Sequence, residues 1–187
     1  MTIKTLNVGL LSTCCYVLWG EDGEGCVVID PGAEADRIRQ AAQGRRIEAI
    51  LLTHGHFDHM MATEALMDDD TQLVIHRLDV PMLSDPETNV SWMIGQSVTA
   101  PQATLTVTEG SRLHYAGLDF EVLHTPGHTR GSVCYLTGEH LFTGDTMFRY
   151  GCGRTDLPGG SGADMHASLQ RLYPLANKYH IHPGHEG

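Results

Sequence analysis

The sequence predicts an α/β protein in which two mixed β-sheets pack face to face and helices cover their outer faces, an αββα sandwich. Short apolar runs bounded by turn residues recur through most of the chain and are typical of strands. Helical patterns follow strands in both halves instead of forming a block of their own. No linker or shift in composition divides the 187 residues, so we expect a single domain over residues 1–187.

The first half begins with a predicted β-meander and continues with alternating helices and strands. Glycine-rich "GEDGEG" predicts a hairpin turn inside the meander, and Gly44 predicts the end of the first helix. We expect the second helix to begin at Asp58, directly after a buried strand. The predicted elements are the strands "IKTLNV", "CCYVLWG" and "GCVVIDPG", the helix "AEADRIRQAAQG", the strand "RIEAILLTH", the helix "DHMMATEALM" and the strand "TQLVIH".

The second half repeats this style, with strands first and a helix near the end. Its predicted strands are "RLHY", "LDFEVLH", "SVCYLTG" and "HLFTGD", followed by the helix "GADMHASLQRLY" and a short strand within "KYHIHPGHEG". Residues 77–110, between the halves, are the least regular. Two roles fit the apolar Met82, Trp92, Met93 and Ile94 in that segment, a lid beside a site or ordinary packing of a short helix. We favour the lid.

Composition and charge exclude several classes of function. With 12 Lys and Arg against 23 Asp and Glu, the formal charge of −11 repels phosphate backbones and anionic lipids. We therefore expect neither a nucleic-acid nor a membrane partner, and no apolar run approaches the ~20 residues of a membrane span. The N-terminus lacks the pattern of a secretory signal, and the five cysteines include no C-x-x-C pair. These features predict a cytoplasmic protein with reduced thiols.

The stretch "THGHFDH" places His54, His56, Asp58 and His59 directly after a predicted buried strand. His54 and His56 are two residues apart, so their side chains point the same way in extended backbone. Asp58 and His59 lie where the chain turns into a helix and can present a second group beside the first. This density of polar side chains is not explained by packing, and it predicts that one loop supplies parts of two metal sites.

Three later residues follow predicted strands in the same way and complete the candidate site. They are His128 in "HTPGHTRGS", Asp145 in "LFTGDTMF" and His185 in "HPGHEG". Imidazole and carboxylate ligands without cysteine suit zinc, iron or manganese. Seven ligands are too many for one tetrahedral ion and enough for two ions that share a bridging ligand. Asp30, at the end of another strand, fits either a turn residue or a carboxylate that orients a metal-bound histidine.

The motifs "THGHFDH", "TPGHTRGS", "TGDTMF" and "PGHEG", in this order, resemble those of the metallo-β-lactamase superfamily. Within it, they most resemble short bacterial hydroxyacylglutathione hydrolases of the glyoxalase II type, from about Asn7 to the last residue. The resemblance implies the αββα fold and two divalent metal ions. Zn²⁺ is the metal that we expect first, and Fe or Mn would also fit. It implies the following ligands: His54, His56 and His128 for the first ion, Asp58, His59 and His185 for the second, and Asp145 as the bridge.

The implied reaction is hydrolysis of a small-molecule thioester, such as S-lactoylglutathione, by water activated between the metals. Asp145 and Asp58 are the expected catalytic residues, the latter by orienting that water. A thiol with a pKa near 8.5 departs as thiolate without strong help from an acid. In the loop "FRYGCGRTDLPGG", we expect Arg149, Tyr150 and Arg154 to bind the substrate, with a guanidinium holding a carboxylate. A solvated surface loop is the other interpretation.

Two other chemistries fit parts of the same residue set. A mononuclear iron persulfide dioxygenase would need only His54, His128 and Asp145 as a facial triad. A lactonase or another small-ester hydrolase would use a nearly identical ligand set. The complete set of seven and the ending "PGHEG" favour the thioesterase. Larger enzymes of the glyoxalase II type continue into a helical domain, whereas this chain ends two residues after His185, so we expect the natural protein to continue.

Overall fold

The computed structural model describes residues 1–21 and 23–186, so Asp22 of the predicted "GEDGEG" turn and Gly187 lie outside the described residues. Its strands are β1 Thr2–Val8, β2 Thr13–Trp19, β3 Cys26–Ile29, β4 Ile47–Leu51, β5 Gln72–His76, β6 Leu105–Val107, β7 Arg112–Tyr115, β8 Leu118–His124, β9 Val133–Thr137, β10 His140–Gly144 and β11 His180–Pro183. The α-helices are α1 Ala35–Ala41, α2 Phe57–Met60, α3 Thr63–Leu66 and α4 Gly162–Ala176. Within the described residues, no helix is long and apolar enough to cross a membrane.

The strands form two mixed sheets, which confirms the predicted fold class. The first sheet has the order β1-β2-β3-β4-β5-β6, and the second has the order β11-β10-β9-β8-β7. In the first sheet, β1 to β3 are antiparallel and β3 to β6 are parallel. In the second, only the pair of β10 and β11 is parallel. The parallel pairs direct the carboxyl ends of several strands toward one edge of the molecule.

The core lies between the two sheets. Every residue of β2 and β3 is buried, as expected for strands that are covered on both faces. Tyr16 of β2 packs edge-on against Phe142 of β10, with ring centroids 5.0 Å apart. The hydroxyl of Tyr135 on β9 donates to the backbone oxygen of Leu52, which follows β4, at 2.9 Å. These contacts link β2 to β10 and β9 to the end of β4, so they hold the two sheets together close to the loops that carry the candidate site.

The helix predicted over "DHMMATEALM" is broken into α2 and α3. The chain enters α2 from His56 in extended backbone, so the helix begins at Phe57, and the predicted start at Asp58 is wrong by one residue. Between the two helices, the backbone N–H of Ala62 donates to the backbone oxygen of Pro31 at 2.9 Å. That bond pulls the chain against the loop after β3, and a continuous helix would have used the same N–H internally.

The irregular segment over residues 77–110 contains two 3₁₀ turns, Val80–Leu83 and Ser91–Ile94, and the short strand β6, which the sequence did not predict. The side-chain amide of buried Asn89 organises it, because Nδ2 donates to the backbone oxygens of Met82 and Val98, both at 2.9 Å. The segment is therefore ordered by one buried amide and not by a long regular element.

We expect Gly32→Ala to destabilise the protein by about 1–3 kcal/mol, because overpacking of a tight contact costs that much. A Cβ at residue 32 would overlap the backbone oxygen of Asp58, whose position is fixed by α2. The matched control is Gly162→Ala at the start of α4, where the nearest atom to a new Cβ would be Thr155 Oγ1 at 3.7 Å. Urea denaturation of both variants checks this. A Gly32→Ala variant that is as stable as the wild type would show that the loop after β3 does not constrain Asp58.

Candidate metal centre

Seven histidine and aspartate side chains from four loops meet at one edge of the sandwich. The first loop follows β4 and the others follow β8, β10 and β11, so each sheet supplies part of the site. The residues are His54, His56, Asp58, His59, His128, Asp145 and His185. All the side chains that the sequence singled out as metal ligands are brought together here.

His54, His56 and His128 form the first group. Their ligand atoms all lie within 4.8 Å of one another, and all three residues are buried. His56 Nδ1 is 2.9 Å from His128 Nε2. Tetrahedral zinc sites are built from nitrogens at this kind of separation, because each Zn–N bond is about 2.0–2.1 Å long.

Asp58, His59 and His185 form the second group, also within 4.8 Å. The Nε2 atoms of His59 and His185 are 3.3 Å apart. Asp58 Oδ2 lies 3.5 Å from the first of these nitrogens and 3.3 Å from the second. The hydroxyl of Thr13 donates to the same carboxylate oxygen at 3.0 Å, which fixes the orientation of Asp58.

The carboxylate of Asp145 lies between the two groups. Its Oδ2 is 3.4 Å from Nε2 of His128 in the first group and 3.5 Å from Nε2 of His185 in the second. Its Oδ1 is 3.4 Å from Nε2 of His59. One side chain therefore reaches both groups, as a bridging ligand must.

Asp30 orients two of the histidines from behind. Its carboxylate is buried and accepts the backbone N–H of Thr53 at 2.8 Å and the hydroxyl of Thr53 at 2.6 Å. It also accepts Nδ1–H of His59 at 2.9 Å. Because the Thr53 hydroxyl donates to Asp30, its oxygen is left to accept Nδ1–H of His54, 3.1 Å away. Asp30 thus turns Nε2 of both histidines toward the site, which is the role expected of a carboxylate behind a metal ligand.

Backbone oxygens orient two further histidines. His128 Nδ1 donates to the backbone oxygen of Arg154 at 2.7 Å, and His185 Nδ1 donates to that of Leu11 at 3.1 Å. In each ring, the lone pair of Nε2 is therefore free to face the other ligands. Sequence motifs do not reveal such partners, because any residue carries the accepting oxygen.

The donor set fits divalent cations, and two of its buried polar atoms have no partner in the part of the chain that the structure describes. Nε2 of His54 and Oδ1 of Asp145 are buried and make no hydrogen bond among the described residues. Burial lowers the pKa of His54, and burial together with His128 lowers the pKa of His56 to about 3, so both rings are neutral ligands at neutral pH. Burial also lowers the pKa of His59, but the carboxylates of Asp58 and Asp30 outweigh it and raise that pKa. A divalent ion held by these residues would satisfy the same carboxylates in place of the proton.

Asp79 fastens the two loops of the first group to each other, a role that the sequence analysis did not predict. Its Oδ1 accepts the backbone N–H of Gly131 at 2.7 Å. Its Oδ2 accepts the backbone N–H of Gly55 at 3.1 Å and the hydroxyl of Thr129 at 2.6 Å. Burial raises the pKa of Asp79, and these three hydrogen bonds oppose that rise. Gly55 lies between His54 and His56 and Thr129 follows His128, so Asp79 sets the distance between the loops.

A cavity of about 430 Å³ opens above the two groups. Met93 and Ile94, two of the residues predicted to form a lid, line its wall. Met82 is instead buried against Gly55, the residue between His54 and His56. A Cβ added to Gly55 would lie only 2.6 Å from the Cβ of Met82. Trp92 is about half exposed and is absent from the wall. The apolar cover predicted for the site is therefore formed by part of the 3₁₀ turn Ser91–Ile94.

The three residues predicted to bind substrate occupy two different places. Arg154 lines the metal cavity, but its Nε and one terminal nitrogen donate to the carboxylate of Asp156, both at 2.7 Å. Arg149 and Tyr150 line a neighbouring cleft of about 850 Å³, which meets the metal cavity at Phe148. The guanidinium carbon of Arg149 is 5.4 Å from the centroid of the Tyr150 ring.

Two histidines just outside the motifs that carry the resemblance, His124 and His182, belong to neither metal group. His124 stacks on His76 with ring centroids 4.2 Å apart, and its Nε2 donates to the backbone oxygen of Arg130 at 2.9 Å. His182 stacks on Phe142, with centroids 4.6 Å apart. Both rings are therefore held by contacts with residues outside the two metal groups.

The sequence profile of the metallo-beta-lactamase superfamily matches residues 8–178. The chain therefore belongs to this superfamily, as its motifs predicted. An uncharacterized protein of Mycobacterium leprae is 37% identical over 199 residues, which cover 99% of this chain and 91% of the relative. The hydroxyacylglutathione hydrolase of Aeromonas hydrophila is 40% identical over 164 residues, which cover 86% of this chain and 57% of that enzyme. The chain thus spans a little over half the length of this relative.

Solved structures share the same fold. BLEG-1, a B3 metallo-beta-lactamase, has a TM-score of 0.91 at 34% identity, covering 98% of this chain and 91% of its own. TTHA1623 in a di-iron-bound form has a TM-score of 0.85 at 37% identity, covering 97% and 91%. ETHE1 from Myxococcus xanthus has a TM-score of 0.80 at 30% identity, covering 100% and 76%. The di-iron neighbour shows that a protein of this shape holds two metal ions.

We expect Asp30→Asn to weaken binding of the second ion by roughly 10–100-fold, the usual effect of removing a carboxylate behind a metal-bound histidine. In one orientation, the amide turns an N–H group toward Nδ1–H of His59, and in the other it faces the donors of Thr53. Competition with a chromophoric zinc chelator measures the affinity. The control is Asp69→Asn, which alters an exposed carboxylate. Equal affinities of the Asp30 variant and the wild type would remove Asp30 from the site.

Proposed function

We propose that the protein is a metal-dependent hydrolase with a dinuclear centre, and that its substrate is a small-molecule thioester. S-(2-hydroxyacyl)glutathione, such as S-lactoylglutathione, is the first candidate. The observation that carries the proposal is the position of the Asp145 carboxylate, within 3.5 Å of a histidine nitrogen in each of two complete groups. Membership of the metallo-beta-lactamase superfamily and the likeness to hydroxyacylglutathione hydrolases support it.

The proposed ligands divide between two ions with one bridge. His54, His56 and His128 would hold the first ion, Asp58, His59 and His185 the second, and Asp145 both. A set of nitrogen and carboxylate donors favours Zn²⁺ and also accommodates Fe or Mn. When bound, two such ions lower the pKa of water toward neutrality and polarise the carbonyl that it attacks.

The chain contributes positioning and exclusion of water. Thr13 holds the Asp58 carboxylate in place, and the oxygen of Asp58 can accept a hydrogen bond from the attacking water and so orient it. Leu11, Phe57 and Val90 line the cavity beside the two groups, which limits competing solvent. Neither a serine nor a cysteine lines this cavity among the described residues, so water is the proposed nucleophile.

A thioester suits this cavity better than an oxygen ester or an amide. Apart from the proposed ligands, Arg154 is the only ionisable side chain among the described residues of the wall, and it is paired with Asp156. Nothing there is placed to protonate a poor leaving group. A thiol has a pKa near 8.5 and departs as thiolate without such help, whereas an alkoxide or an amine anion does not.

The alternative is a mononuclear iron persulfide dioxygenase that uses His54, His128 and Asp145. The geometry of the second group argues against it. His59 and His185 have their outer nitrogens fixed by Asp30 and by the backbone of Leu11, an arrangement that serves ligands of a second ion. A lactonase would use the same centre and differs only in its leaving group.

We expect Asp145→Ala to lower the turnover of S-lactoylglutathione by about 100-fold or more, because it removes the shared ligand. Loss of thioester absorbance measures turnover, and the exposed Asp69→Ala serves as the control. Wild-type protein that holds two metal ions and hydrolyses no thioester would overturn the proposed substrate class. One iron per chain together with oxygen uptake on glutathione persulfide would replace the hydrolase with the dioxygenase.

A further inference from the structure

A second, smaller groove of about 240 Å³ lies beside the metal cavity. The groove and the cavity share Leu11, Phe57, Asp58 and Ile94 as wall residues. The two spaces therefore meet at Asp58, one of the proposed ligands and the residue proposed to orient water. A volume of this size is below the usual range for a whole ligand and suits one short part of a larger molecule.

The groove is apolar where it leaves the metal cavity. Its walls include Val8, Leu10, Ala33 and Met61, and no Lys, Arg or His side chain lines it among the described residues. Its polar side chains among the described residues are Asp58, at the junction with the metal cavity, Thr13, whose hydroxyl already donates to Asp58, and Gln96. Water inside the groove finds few partners, so an apolar chain gains free energy by displacing it.

Large apolar side chains are exposed around this groove. Leu10 is 85% exposed, Leu11 49% and Met61 40%. Three exposed apolar side chains that line one groove mark a binding site more often than a single exposed leucine does. They lie within reach of the metal centre, because Leu11 lines both the groove and the cavity.

The space beyond Phe148, away from this groove, has different chemistry. The cleft of about 850 Å³ is lined by Arg149, Tyr150, Tyr173 and Glu186, which gives it one cationic and one anionic side chain among the described residues. It has the size and the mixed polarity that suit a polar thiol carrier that bears both a carboxylate and an ammonium group. The metal centre thus connects an apolar groove with a larger, mixed cleft, as a substrate with two chemically different ends requires.

We propose that the groove binds the acyl group of the thioester and that the enzyme prefers unbranched apolar acyl groups longer than acetyl. The thiol carrier then occupies the Arg149–Tyr150 cleft. This inference rests on the proposed thioesterase function. In the reaction, the oxygen of water bonds to the acyl carbon and the carbon–sulfur bond breaks. Its electron pair leaves with the thiolate, and water gives up both of its protons, one to the thiolate and one to solvent, so the products are a carboxylate and a thiol.

A series of thioesters tests the acyl groove with the metal-loaded protein. Acetyl, butyryl and hexanoyl thioesters of glutathione and of N-acetylcysteamine are compared, with S-lactoylglutathione alongside. We expect kcat/KM to rise about fourfold for each methylene that the groove buries, and to do so with both carriers. The ratio of hexanoyl to acetyl turnover is the quantity of interest, because misfolding or partial metal loading affects both substrates equally.

Two variants place the effect in the groove. Met61→Gln adds a polar group to the wall and Ala33→Leu fills the space, so each should lower the hexanoyl-to-acetyl ratio several-fold. The control is Leu78→Gln, which alters an exposed leucine that does not line the groove and should leave the ratio unchanged. KM should carry most of the change, since the groove lies beside the reacting atoms and not on them.

The outcomes separate this inference from the proposed function. Thioester turnover with a ratio at or below one in the wild type, or a ratio that neither groove variant alters, would overturn the acyl groove and leave the thioesterase standing. Protein that holds two metal ions but turns over none of these thioesters would overturn the thioesterase, and the acyl groove with it.

Discussion

The buried carboxylate of Asp30 is the constraint on which the metal centre depends. Asp30 directly follows β3, and its backbone has the left-handed conformation, with φ of 51°. An L-residue adopts this conformation only when its surroundings hold it there. Three donors from the loop after β4 and from α2 provide that hold. In return, the carboxylate aligns Thr53 and His59, and through Thr53 it aligns His54. A single buried charge therefore sets the chain path and the direction of two proposed ligands.

The site is also formed by residues that lie far apart in the sequence. His59 and His185 lie side by side although 126 residues separate them, and Asp79 joins loops that lie 24 and 52 residues away from it in the sequence. Neither sheet alone contains a complete group together with the bridging carboxylate. We infer that the proposed ligands reach their relative positions only when the two sheets pack. Metal binding and stability of the fold should therefore be coupled.

The proposed ligands could be found from the sequence because they are polar side chains crowded after apolar strands, a pattern that packing does not produce. The strands were predictable for the related reason that their apolar runs are short and end in turn residues. Asp79 could not be found, since a lone aspartate in an irregular segment has no distinguishing spacing. The backbone partners of His128 and His185 have no side-chain signature at all. The break between α2 and α3 depends on Pro31, a contact across the fold that local helical preference does not encode.

The sequence motifs also did not predict the path of the loop after Asp145. Arg149, Tyr150 and Arg154 are neighbours in sequence, yet the turn between them separates two spaces and leaves Arg154 paired with Asp156. Charge and residue type predicted that this loop would contact a substrate. They could not indicate which of its arginines already had a partner, because that depends on the turn geometry.

We infer that seven side chains hold two ions joined by Asp145, and the separation of the two ions is the quantity to measure. We would measure it by anomalous diffraction from crystals of the protein purified without added metal. We expect two peaks about 3.5–4 Å apart, with the Asp145 carboxylate between them. A single peak among His54, His56 and His128, with no density beside His59 and His185, would contradict it.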